Sequence, residues 1–185
     1  MLFNKSLILL YRHFIVSCDK LKVVLNTHIS KRVCLFFYLL GGKLMTMMQL
    51  AKHIIAVANT KNIPITNLQL QKVLYFTFKK ALQEKMLTGE KDEYDDHFLV
   101  WRYGPVAEKV YDKYSIYSGS PIIENGQINP KFEPLNDTVT DLLSQKTSQL
   151  VKQSHEEEFW KKHEKDIEGW RSNVEYNLVD VARKN

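Results

Sequence analysis

Helical spacing dominates the apolar positions of the chain from Met45 onward. Thr46-Met47-Met48-Gln49 has the form of a capping box, and Leu50, Ile54, Val57 and Ala58 follow it at helical intervals. This predicts a helix of about four turns that ends near Asn62. Pro64 breaks the chain, and Thr66-Asn67-Leu68-Gln69 repeats the box with Ile65 and Leu70 placed as a hydrophobic staple, so a second helix starts at Asn67. At about 100° per residue, Leu68, Leu70, Leu74, Tyr75, Phe78, Ala81, Leu82 and Met86 share one broad arc. Val73 and Phe76 fall outside that arc, as does Lys72. A helix apolar over more than half its circumference belongs at the centre of a fold. Gln71 points into the arc, where an unpartnered amide costs about 1–3 kcal/mol, so it is expected to orient a neighbouring backbone segment.

Thr88 to Asp96 is acidic and reads as a solvated connector. His97 to Tyr103 is rich in aromatic and β-branched types and predicts one short strand, with Leu99, Trp101 and Tyr103 on one face and Phe98, Val100 and Arg102 on the other. Gly104-Pro105 then offers a glycine free to take positive φ and a proline suited to the first helical position. The strand is therefore expected to turn directly into a third helix, with Val106, Val110, Tyr114 and Tyr117 inward and Ala107 and Tyr111 at the margin. The Asn125-Gly126 dipeptide between Ile122 and Ile128 predicts a type I′ hairpin that joins the first strand in a small antiparallel sheet. A further helix runs from about Asn136 through Val151, and Ser154-His155-Glu156-Glu157 forms a third capping box before Phe159 and Trp160. Val174 to Arg183 is expected to be a terminal helix. The fold class is mainly α (α+β), a compact helical domain with a small antiparallel sheet.

Composition agrees with that picture. The chain has 185 residues, 44% hydrophobic and 25% charged, enough for one domain with a real core. None of its 7 glycines falls in a G-x-G pattern, so the phosphate cradles of P-loop and Rossmann proteins are absent.

The net charge of +5 changes meaning once it is divided along the chain. Residues 1 to 44 carry 7 basic residues against one acidic, whereas 45 to 185 carry 19 against 20, a net −1. Both cysteines, Cys18 and Cys34, also lie in the first segment, and the cysteine-free remainder suits a reducing cytoplasm. The first segment has neither the roughly 20 apolar residues of a membrane span nor the plan of a secretory signal. Gly41-Gly42-Lys43-Leu44-Met45 is what GGA GGT AAA TTA ATG would encode, a purine-rich ribosome-binding sequence ahead of a start codon. Residues 1 to 44 are accordingly read as translated upstream sequence, with a genuine amphipathic N-terminal extension as the alternative. Residues 45–170 then form the domain and 171–185 a C-terminal tail.

No pattern of catalysis stands out. His155-Glu156-Glu157-Glu158-Phe159 begins like a zincin helix but has Phe where the second His is required. The six histidines show no other ligand spacing, and no G-x-S-x-G occurs. The chain is expected not to be an enzyme and to use no catalytic residue, metal or cofactor. Capped helices followed by a hairpin can also build a winged helix that binds DNA as a transcriptional regulator. The net charge of −1, and the scatter of Lys72, Lys79, Lys80 and Lys85 around the second helix, argue against nucleic acid. That reading is kept as the alternative function.

The most unusual local sequence is Trp101-Arg102-Tyr103-Gly104-Pro105-Val106 with Tyr111 close behind, an aromatic, arginine-bearing stretch of the kind that anchors protein interfaces. If the strand alternates, Arg102 faces away from Leu99, Trp101 and Tyr103 and is free to meet a partner, and Lys72, off the apolar arc, is the second candidate.

Taken together, three stretches resemble the Panacea domain, the family of SocA-like antitoxins. They are Leu70-Gln71-Lys72-Val73-Leu74-Tyr75-Phe76, then Trp101 to Val106 with Tyr111 and Tyr114, and then Leu150-Val151-Lys152-Gln153-Ser154-His155 ahead of Trp160. Order and intervals match over about Met47 to Lys162, and Gln-Lys-x-Leu-Tyr followed by Trp-x-Tyr-Gly-Pro-Val is specific as a pair. The resemblance implies a mainly helical bacterial domain, often carried on prophages. Such a domain neutralises a cognate protein toxin, encoded by a neighbouring gene, through direct contact. It also implies a domain start close to Met47. Thr77-Phe78 departs from the family pattern, and the chain after Gly169 matches nothing in it.

Overall fold

The computed structural model describes residues 46–87 and 94–184, which belong to one compact unit, Leu44–Asn185. The readings of residues 1 to 44 and of the middle of the acidic connector lie outside the described residues.

Helix α1 (Met47–Thr60) starts from the expected capping box, with the Thr46 hydroxyl accepting from the Gln49 amide and the Gln49 side chain accepting from the Thr46 amide. Helix α2 (Asn67–Gln83) is capped by Thr66 in the same way, but its box stays half closed because the Gln69 side chain donates to the Leu143 carbonyl instead. Beyond α2 come strands β1 (Phe98–Trp101) and β2 (Gly104–Ala107), then α3 (Glu108–Tyr114), α4 (Asn136–Ser144), α5 (Thr147–Glu156), α6 (Glu158–His163) and α7 (Leu178–Ala182). These seven helices and one antiparallel strand pair, among the described residues, make the mainly helical fold with a small sheet that the apolar pattern predicts.

Helix α2 is the axis of the fold and touches α1, α3, α4, α5, α7 and β2. It is buried on nearly every side, including Val73, which lies off the broad arc, while Leu68 within the arc is partly exposed and Met86, expected in the arc, lies beyond the helix end at Gln83. Tyr75 and Phe78 meet Phe98 edge-on and Tyr75 also meets Tyr176, so the aromatic centre joins α2 to the strand and to the C-terminal tail.

The sheet forms where the sequence pattern places a strand, but its second strand is a different one. β1 pairs with β2 in the register Phe98↔Ala107 to Trp101↔Gly104, and only Arg102-Tyr103 lie between them. Neither turn residue has positive φ; the left-handed residue that the reversal needs is Gly104, at φ +94°. Gly104-Pro105 therefore opens a strand and not a helix, and α3 begins at Glu108. Of the two expected faces of β1, Phe98 and Val100 form the one that enters the core, while on the other Leu99 is half-buried, Trp101 is buried and Tyr103 is exposed. The Asn125-Gly126 hairpin is absent, and neither residue has positive φ. Gly126 serves close approach instead: a Cβ there would lie 2.1 Å from the Ala56 amide nitrogen, and the neighbouring Gln127 amide donates to the Lys52 carbonyl.

Three further differences concern the C-terminal half. The helix from Asn136 breaks at Gln145 and Lys146 into α4 and α5. Ser154 lies inside α5 with its hydroxyl donating to the Val151 carbonyl, so it caps nothing, and Glu157 precedes α6 without a side-chain cap. The terminal helix is only α7, capped by Asn177. Ahead of it, the chain runs beside β1: Val100 donates to the Val174 carbonyl and Tyr176 to the Phe98 carbonyl. The stretch from Trp170 to Tyr176 thus occupies the free edge of β1, and Tyr176 and Val181 are fully buried. At the end of the acidic connector, Tyr94 and Asp96 are buried rather than solvated. Asp96 accepts from the Val110 amide at the start of α3, and Asp95 accepts from the Met47 amide at the start of α1.

Candidate functional site

The motif residues converge on the strand pair. Gln71 Oε1 accepts from the Ala107 amide at 2.9 Å, which is the backbone-orienting role its position in the arc predicts. One residue on, Lys72 Nζ donates to the Pro105 carbonyl at 2.7 Å. Gly104 rests against Ser154 and Lys72, and Trp160 Nε1 donates to the Trp101 carbonyl at 3.0 Å. His155 stacks on Trp160 with ring centroids 3.7 Å apart, and burial lowers its pKa. Gln71, Lys72, Tyr75, Gly104, Pro105, Val106 and Trp160 are all buried, so the motifs form the joint by which α2 and α5 clasp the hairpin.

Lys72 overturns the expectation of an exposed candidate: it is 0% exposed, because the face of α2 away from the arc is covered by β2 and α5. Burial holds its pKa well below the usual lysine value, and no carboxylate among the described residues pairs with it. An unfolded lysine titrates near 10.4, so lowering the pH below that value protonates the unfolded chain before the folded one. Stability from this residue is full above about pH 10.4 and declines toward the lowered folded value, by at most about 1.4 kcal/mol per pH unit. The urea midpoint of the wild type relative to Lys72→Met is therefore expected to rise between pH 7 and 10. A pH-independent difference would show that the buried amine keeps its ordinary proton affinity.

Arg102 and Tyr103 form the exposed hairpin tip, and the tail supplies their partners. The Arg102 amide donates to the Trp170 carbonyl, which sets two Trp-Arg dipeptides side by side. Their side chains exchange: the Arg102 guanidinium lies 4.7 Å over the Trp170 ring, and that of Arg171 lies 4.3 Å over the Trp101 ring. Tyr111 closes on Trp101 edge-on at 5.0 Å, and Tyr103 leans on Trp170 at 5.6 Å. Beneath them lies a groove of about 530 Å³, floored by Asn67, Gln71 and Val106.

Sequence reasoning singled out Trp101, Arg102, Tyr103 and Tyr111 here but missed Asn67, Trp170 and Arg171. The available signal was the recurrence of Trp-Arg at 101–102 and 170–171, the second copy standing in a polar stretch. Among the described residues, no three of His, Cys, Asp and Glu come together as metal ligands, and no helix is long and apolar enough to cross a membrane. No protein-family model, curated protein or solved structure matches the chain.

Proposed function

We propose that the chain is a non-enzymatic antitoxin that neutralises a cognate protein toxin, the product of a neighbouring gene, by direct binding in the cytoplasm. The observation that carries this reading is the aromatic and arginine cluster at the hairpin tip, where Arg102, Tyr103, Trp170 and Arg171 are exposed above the buried Trp101. Trp170 is 57% and Tyr103 47% exposed, and Trp, Tyr and Arg in such a cluster are the residue types that dominate binding energy at protein interfaces. The Panacea-like motifs support it from a second side, since they build the joint that presents this cluster.

Co-expression tests the proposal. An adjoining reading frame whose product is toxic alone is expected to become harmless beside this chain. Arg102→Glu is expected to leave the melting temperature within about 2 °C, as surface changes usually do, while weakening protection. Full protection by the folded variant would place the partner surface away from the hairpin tip. Harmless products from every adjoining frame would remove the antitoxin reading.

A further inference from the structure

We infer that the groove under the two Trp-Arg pairs receives an extended peptide segment of the partner that carries an Asp or Glu side chain. This rests on the reading that the partner is a protein.

Three residues that line the groove hold buried polar atoms with nothing to bond. Gln71 Oε1 is fixed by the Ala107 amide, which leaves Nε2 as a donor without a partner. Asn67 Nδ2 is fixed by the Tyr111 carbonyl, which leaves Oδ1 as an acceptor without one. Trp101 Nε1 is a second unpartnered donor, and all three residues are more than nine-tenths buried. Each such atom costs roughly 1–3 kcal/mol while it stays unpaired, and three at one groove is a concentration that a ligand can relieve. An extended peptide presents carbonyls and N–H groups in alternation, the complement of two donors and an acceptor.

The rim adds charge. The Arg102 side chain lies over the Trp170 ring and has no carboxylate partner among the described residues. Arg171 reaches Glu108 at 3.5 Å, a long contact between two half-exposed groups that holds it weakly. In that position its guanidinium covers the Trp101 ring, and the three floor atoms have essentially no contact with solvent. An incoming carboxylate offers Arg171 a shorter, bidentate pair than Glu108 does, and drawing it off the ring uncovers Trp101 to the ligand. A nucleic-acid strand fits less well, because residues 45 to 185 are net −1 and the rim provides two cations, not a basic track.

The other grooves lack this inventory. In the one between α2 and α5, Lys79 is already paired with Glu157 and the Gln83 amide is spent on the Ala182 carbonyl, and the residues of the one beside α7 hold no buried polar atom without a partner.

The test uses the full chain beside the adjoining toxic product. Arg171→Glu reverses the rim charge, and Ser115→Trp fills the groove from its exposed edge. Both are expected to keep the wild-type melting curve and to cut protection, read as plating efficiency, by roughly tenfold or more. Arg171→Gln, which removes charge without reversing it, serves if the Glu variant melts early. A benzophenone amino acid in place of Tyr103 is expected to cross-link to a toxin segment that contains Asp or Glu, and the same label at Ile123, an exposed site outside the groove, is expected not to. If the wild type itself gives no protection, the antitoxin reading falls and the groove assignment falls with it. If the wild type protects, both folded groove variants protect equally and only the label at Ile123 cross-links, the assignment is overturned while the reading stands. A shift of the upstream DNA by the wild type that Arg171→Glu abolishes would also overturn it, in favour of nucleic acid.

Discussion

Gly104→Val is expected to abolish the cooperative thermal transition of the domain. Gly104 sits at φ +94°, a region that side chains with a Cβ rarely enter, and a Cβ placed there would lie 2.1 Å from Ser154 Oγ and 3.0 Å from Lys72 Nζ. Neither neighbour has room to retreat: Ser154 is fully buried within α5 with its hydroxyl held by the Val151 carbonyl, and Lys72 is held by the Pro105 carbonyl. Backbone strain of about 1–3 kcal/mol adds to overpacking of about 1–3 kcal/mol. That sum is a large part of the roughly 5–15 kcal/mol that holds a domain together. Pairing Gly104→Ala with Ser154→Ala separates the two causes, since it removes the nearest clash and leaves the strain. Circular dichroism melts of the three proteins check the expectation, and a Gly104→Val melt superimposable on the wild type would show that the hairpin closes without a left-handed residue.

That glycine also shows which parts of the fold were legible in the sequence. Its need for positive φ was readable, because Gly-Pro after an aromatic strand signals a sharp reversal, but what followed the reversal was not. A proline after glycine suits a helix start and an edge strand alike, and the choice for a strand was made by Gln71 and Lys72, which bond the Ala107 amide and the Pro105 carbonyl from 36 and 33 residues away. The starts of helices α1 and α2 are legible to the residue because their caps are local. The Asn-Gly hairpin failed for the opposite reason: a strong local turn signal was overridden by the packing of Gly126 on the backbone of α1. The candidate site divides in the same way. Trp101, Arg102, Tyr103 and Tyr111 stood out as one unusual stretch, whereas Trp170 and Arg171 join them only because the tail pairs with the free edge of β1. Lys72 departs from the expectation because helical spacing reports only how many sides of a helix are apolar, and α2 is covered on its polar side as well.

The charge that α2 buries on that covered side carries the second large effect. Lys79 Nζ bonds both oxygens of Glu157, at 2.7 and 2.6 Å, and both side chains are at least nine-tenths buried. Glu157 lies between α5 and α6 in extended backbone, so this pair ties the helix junction to the central helix. Two charges taken out of water gain little net stability over a well-packed apolar pair of the same shape, but one of them left alone is expensive. Glu157→Gln keeps the shape and strips the counter-charge from Lys79, and it is expected to lower stability by about 3–5 kcal/mol, with Lys79→Met comparable. The double variant Lys79→Met/Glu157→Leu is expected to recover most of that loss, because neither charge is then stranded. Urea unfolding of the four proteins at one pH measures both the losses and the recovery. Single variants within about 0.5 kcal/mol of the wild type would mean that water reaches the pair and that the junction of α5 and α6 is held by packing alone.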